Sequence, residues 1–334
     1  MKNFLKLIPI LTIYLSCAAP QFEQVSFCDF FTQTQQIATP DSIGLSDFIY
    51  FAKYIDPNRV MLTEMFSRSM FILDYASESI KKQLQNGLGP GEYIMAYDFQ
   101  VHQDTLFFND KSSSRLQFVD LSSMQASQLF PIANPTHCSF AKHHGDFYFL
   151  NWGRGHTHYL HDFHGNGFFE VPKLFQTIPS PMLPLKIVTL NDKLYFVNRF
   201  ENKIFELDLL TKAERIIHVQ GLPLENWENA LNTEMPQSTF MERLEKKPVI
   251  VLFDIIIINQ TPHFLITFPP HGTSPSYLYV VTLDGKITHQ IDTRQYFPIS
   301  AGHNKVTTYS MQEDTFYLTE FMVRKTLKNS TLTP

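Results

Sequence analysis

The chain has 334 residues, of which 44% are hydrophobic and 18% charged. That is apolar enough for a full core and too weakly charged for intrinsic disorder. The net charge is -5 and no basic stripe is present, which excludes the electrostatic footprint of a nucleic-acid binder.

The N-terminus reads as a targeting segment. Lys2 and Lys6 precede an apolar run from Leu7 to Leu15, broken only by Pro9 and Thr12. The run is too short to span a bilayer and fits the apolar region of a signal peptide. It ends in Tyr14-Leu15-Ser16-Cys17, which resembles the lipoprotein box, where a small residue precedes a cysteine that is acylated after cleavage. Ser16 fits that pattern; Tyr14 and Leu15 fit only its relaxed forms. The other reading is an ordinary signal peptide cut near Ala18 or Ala19. Residues 1–17 are thus expected to form a signal segment, with Cys17 the lipidation site and the lipid the only membrane contact. Phe253 to Ile258 is apolar but far too short to cross. Cys28 and Cys138 remain; they could pair, but buried free thiols are expected.

A repeat follows. Segments ending in an aspartate before a turn recur at Ser69–Asp74, Arg115–Asp120, His158–Asp162, Lys203–Asp208 and Leu278–Asp284. The aspartates step by 46 (74 to 120), 42 (120 to 162), 46 (162 to 208) and 76 (208 to 284) residues. These steps match the period of roughly 40–45 residues of four-stranded propeller blades, with an insertion of about 30 in the last. An aspartate there can accept hydrogen bonds from backbone two residues on and start the turn.

Each segment follows an aromatic or aliphatic strand. The set is Val60–Leu62, Leu106–Phe108, Phe147–Leu150, Leu194–Val197, His263–Ile266 and Phe316–Leu318, six copies in all. Apolar residues run consecutively rather than alternating, so both faces of each sheet are covered. Stacked blades achieve this, and the 31 phenylalanines suit the wedge-shaped gaps between them. First strands are expected at Phe48–Phe51, Tyr97–Val101, Leu185–Val188 and Val249–Leu252. The sixth unit has Val306–Tyr309, Thr315–Thr319 and Met322–Leu327 but lacks a fourth strand. Val25–Phe31 is spare and is expected to close the ring by pairing there, removing both exposed edges. The fold expected is therefore an all-β six-bladed β-propeller over residues 25–327. A helical insertion at 222–247, split by Pro236, is expected between blades four and five.

Gly87-Leu88-Gly89-Pro90-Gly91-Glu92-Tyr93, together with this blade pattern and the leader, resembles the six-bladed propeller lipoproteins common in Bacteroidetes, akin to the NHL and TolB-like propellers. The resemblance implies a fold and an envelope location, and no reaction. Because no acidic run follows Ala19, it implies the periplasmic side of the outer membrane.

Four residues are weak candidates for ligand binding. Glu92 sits in the glycine-rich crossover, where it either caps backbone amides or faces the channel mouth. His156 and His158 would share one face of a strand in a histidine-crowded third blade. They read either as packing and loop residues or as metal ligands, and no bound metal or other cofactor is expected. Trp227 lies in the insertion, which is either a packed cover or a docking element. No catalytic motif such as Gly-x-Ser-x-Gly or His-Glu-x-x-His is present. The expected function is non-catalytic binding of an envelope protein, peptide or glycan. A hydrolase or lyase acting at the axial channel is the alternative.

Overall fold

Four-stranded antiparallel sheets recur along the chain, each wound from an inner strand outward, and they close into a ring of six blades. The computed structural model describes residues 22–39, 49–64, 69–83, 85–87, 92–94, 96–110, 115–123, 126–131, 139–150, 157–173, 186–198, 200–224, 242, 250–268, 276–293, 296–312 and 315–324. Inner strands are Ile49–Tyr54, Ala96–His102, Phe140–His143, Lys186–Leu190, Leu252–Ile258 and Phe297–Gly302, one per blade. Each touches the inner strand of the blades before and after it, and the sixth touches the first, so the circle is complete.

The repeated aspartates start the turns between third and fourth strands. Asp74 Oδ1 accepts from the backbone N–H of Ala76 and Ser77, and Asp120 Oδ1 from Ser122 and Ser123. Asp162 does the same for His164 and Asn166, and Asp208 for Leu210 and Thr211. These bonds to the charged form hold Asp120 down at about 2. A second bond recurs at the tight turn between first and second strands. The carbonyls of Asn58, Asp104, Asp192 and Asn304 accept from Tyr75, Leu121, Leu209 and Val323, just past or at the end of each third strand, at 2.8–2.9 Å.

Three strand assignments differ from the sequence reading. Phe316–Leu318 belongs to the third strand of blade six, Thr315–Val323, and not to its second, which is Lys305–Gln312. That single long strand also absorbs what reads as two short ones. In blade five the inner strand begins at Leu252, where Val249–Leu252 was expected. The ring is closed by an N-terminal strand, as expected, but the strand is Phe31–Ala38, antiparallel to Thr315–Val323, with Phe31 opposite Val323. Its middle is polar and exposed because it is the outermost strand of its blade, so apolar patterning passed over it. Val25 instead lies in Glu23–Ser26, a fifth strand parallel to the outer edge of blade five. A turn of helix, Phe27–Phe30, joins the two and buries Phe27 and Phe30. Cys28 points outward from it as an exposed free thiol, not the buried one expected.

The core divides, among the described residues, into six apolar clusters, one in each gap between blades. They are unequal. The gap between blades four and five holds 16 buried side chains, among them Tyr195, Phe253, Phe264 and Tyr279. The gap between blades two and three holds four: Phe107, Leu116, Phe140 and Phe149. Blade three is the thinnest, as its histidine-rich sequence suggests. Its third strand is only Leu160–Asp162, and isolated bridges His158–Glu170 and His161–Gly167 stand where a fourth would pair.

Candidate functional site

Inner strands of a ring converge on its axis, and four of them carry charges that act on one another, Lys53, Asp98, Lys186 and Asp254; Lys142, on the inner strand of blade three, sits over the Phe107 ring instead. The four follow a two-fold pattern. Blades one and four supply the lysines; blades two and five, directly after them, supply the aspartates. Asp98 is 4% exposed. Each aspartate is built the same way. Oδ1 accepts from the next residue's N–H, at 2.8 Å from Phe99 and 3.0 Å from Ile255. Oδ2 reaches into the following blade, to Phe140 N at 3.1 Å and Ala301 N at 3.2 Å. Gln100 completes the clamp on Phe140, donating to its carbonyl at 2.7 Å and accepting from Lys53 Nζ at 2.9 Å. Burial raises both carboxyls above the ordinary range; Lys53, Lys186 and the backbone donors pull back against it. All four oxygens hold backbone donors, so the two acids work as staples between neighbouring blades.

A pocket of about 530 Å³ lies off the axis, in the poorly filled gap between blades two and three. Phe107, Leu116, Phe118, Phe147 and Phe163 line it, with Lys142 at its rim. The Lys142 ammonium sits 4.2 Å from the centre of the Phe107 ring and 5.8 Å from that of Phe147, a cation–π arrangement. Burial lowers its pKa. Phe163 is 49% exposed, one of three large apolar side chains open to solvent among the described residues. Among the described residues, blade three beside the pocket shows isolated bridges rather than a full outer strand. The pocket's aromatic walls also carry Lys142, the carboxylate of Asp146 and His164; the size and the Lys142 side suit a small ligand or side chain with an apolar body and an anionic group that meets Lys142.

The candidates named from sequence fall elsewhere. Glu92 begins the two-residue strand Glu92–Tyr93, parallel to Gln85–Asn86, in the crossover from blade one to blade two. Its carboxylate lies where a side chain on Gly87 would have to go. Its carbonyl accepts from Gln117 at 2.9 Å. The neighbouring Tyr93 is the anchor: fully buried, its hydroxyl accepts from Met70 N at 2.7 Å. His158 packs edge-to-face on His161 at 5.8 Å, and its carbonyl accepts from His161 Nε2 at 2.9 Å. Cys17, His156, Trp227 and nearly all of the 222–247 insertion lie outside the described residues. No helix among the described residues is long and apolar enough to cross a membrane.

The axial quartet had a readable signal: one charge in each of Ala52-Lys53-Tyr54, Tyr97-Asp98-Phe99, Leu185-Lys186-Ile187 and Phe253-Asp254-Ile255. The pocket had none, because its walls come from separate blades.

No family model matches the chain, and no curated protein is similar to it in sequence. Solved structures share its fold. The chain superposes on a member of the DUF4221 family from Bacteroides vulgatus ATCC 8482 with a TM-score of 0.60 at 12% identity, over 89% of this chain and 98% of that one. It superposes on a protein from Bacteroides fragilis NCTC 9343, described as exported, with a TM-score of 0.63 at 12% identity, over 91% and 99%. At that identity the likeness is one of fold: the chain is a six-bladed β-propeller with structural counterparts in Bacteroides.

Proposed function

We propose that the protein is a non-catalytic binding propeller of the bacterial envelope. In this reading it is tethered on the periplasmic side of the outer membrane by a lipid on Cys17, as a member of the lipoprotein propeller type that its leader and glycine-rich crossover resemble. The fold it shares with an exported Bacteroides protein supports the location. The observation that carries the binding role is the aromatic pocket between blades two and three, with Lys142 at its rim. Its occupant is a peptide or protein segment that presents an apolar group beside a carboxylate.

Anilinonaphthalene sulfonate has the same chemistry, an apolar body and an anion, and serves as a probe. Titration of the mature protein should give one saturable fluorescence site. Lys142→Glu should weaken it at least about tenfold, a loss of roughly 1.4 kcal/mol. Equal binding by wild type and variant would refute the assignment. For the tether, labelling with a clickable palmitate should mark the wild type and spare Cys17→Ala.

The second reading, a hydrolase or lyase at the axis, draws on Asp98 and Asp254, whose buried carboxyls have raised pKa values. Their four backbone donors favour a structural role for them. Turnover of any ester, lactone or glycoside by the wild type, abolished in Asp254→Asn, would reverse that preference.

A further inference from the structure

The turns between first and second strands of blades three and four bring together three side chains that nothing above uses. His143 and His144 stand on one turn and Asp192 on the other, 49 and 48 residues away in sequence. Both imidazoles aim Nε2 at a single atom, Asp192 Oδ1, at 3.1 Å from His143 and 3.3 Å from His144. The two rings meet edge-to-face with centres 4.1 Å apart. The three ligand atoms all lie within 4.8 Å of one another.

Metal–nitrogen and metal–oxygen bonds of ~2.0–2.1 Å place tetrahedral ligand atoms about 3.3 Å apart. Two of the three edges already match. The backbone supports the arrangement from both sides. Asp192 is fixed by the recurrent bond from Leu209 N to its carbonyl. His144 takes a left-handed conformation, φ 47°, and Gly145 follows at φ 106°, so the tight turn presents two successive imidazoles together. The side-chain exposures are 15% for His143, 74% for His144 and 43% for Asp192, so a bound ion would keep an open side toward solvent.

We infer that His143, His144 and Asp192 form a transition-metal site, suited to Zn²⁺, that clips the thin third blade to the fourth. Two imidazoles and one carboxylate are a donor set typical of zinc, with a fourth position left for water. The site is distinct from the His156/His158 pair and departs from the expectation that no metal is bound.

The test uses mature protein purified without a histidine tag. Titration with ZnCl₂ at pH 7.5, followed by calorimetry, should give one equivalent bound and a rise in Tm. His144→Asn keeps a residue that tolerates positive φ, and Asp192→Asn keeps the size of the side chain. Each should weaken binding by at least about tenfold, the loss seen even when only a group behind a metal ligand is removed. His158→Ala should bind as the wild type does. A wild type with no saturable site would overturn the assignment. So would His144→Asn and Asp192→Asn proteins that bind unchanged, or loss of the site in His158→Ala.

Discussion

Between blades six and one, where the ring closes, the contacts are polar as well as apolar. Thr307 donates to the Tyr54 hydroxyl at 2.9 Å and accepts from Tyr75 at 3.2 Å. Beside them Glu320, buried in blade six, meets Lys305 at 3.1 Å and Thr34 of the closing strand at 2.8 Å. Between blades two and three the wedge is instead lined by phenylalanines that leave a cavity of about 530 Å³. The seam must hold the two ends of the ring together against the entropy of opening, and Thr307 ties blade six to Tyr54 and Tyr75 of blade one across it. The blade two/three gap lies within continuous chain and can be left underfilled. A propeller can therefore keep a binding pocket in a gap that connectivity already secures.

This contrast ranks the effects of mutation. Phe71→Ala at the seam, where the side chain is fully buried in the cluster that joins Val60 and Leu73 of blade one to Phe316 and Leu318 of blade six, should destabilise by about 3–5 kcal/mol. Urea unfolding monitored by circular dichroism measures it. Asp98→Ala should rank alongside or just below. It strips two backbone N–H groups of their acceptor and leaves Lys53 and Lys186 with less opposing charge, a loss of about 3 kcal/mol.

Smaller is the effect of Glu206, a blade-four carboxylate bridged by Lys193 at 2.8 Å and Arg215 at 2.6 Å. Burial pushes its pKa up, but the hydrogen bonds and charges of Lys193 and Arg215 outweigh it and the net shift is downward. Its stabilisation is therefore present above the unfolded value of about 4.3 and is lost as pH falls through the lower folded value. Both cations are close to half exposed, so Glu206→Gln should cost about 1 kcal/mol at pH 7 and nothing measurable at low pH. Least of all, Phe163→Ser in the gap should stay within about 0.5 kcal/mol of wild type. A loss at Phe163 as large as at Phe71 would erase the contrast between the two gaps.

How far the sequence reveals this depends on the range of the interactions. The blades were legible because each is a local hairpin array, punctuated by Asp74, Asp120, Asp162, Asp208 and Asp284 at near-constant spacing. The sixth blade lost its register because it has no such aspartate; Thr315–Val323 runs on where the others turn. The closing strand was displaced from Val25–Phe31 to Phe31–Ala38 because an outer strand needs few apolar residues, and Thr32 to Gln36 has none. The sites were harder. Asp98 meets Phe140 across 42 residues, Asp254 meets Ala301 across 47, and His143 meets Asp192 across 49. No local pattern announces such pairs; they exist only once the ring has set neighbouring blades side by side.

The claim that binding belongs to the underfilled gap and not to the axis is tested most directly by backbone amide exchange with and without saturating anilinonaphthalene sulfonate. Protection should rise in Thr105–Asp110, Arg115–Asp120 and Asp146–Leu150, the strands that wall the pocket. The inner strands Ile49–Tyr54, Lys186–Leu190 and Leu252–Ile258, which take no part in it, should not change. Protection confined to those inner strands, with the pocket strands unaltered, would contradict the assignment and move the ligand to the axial charges.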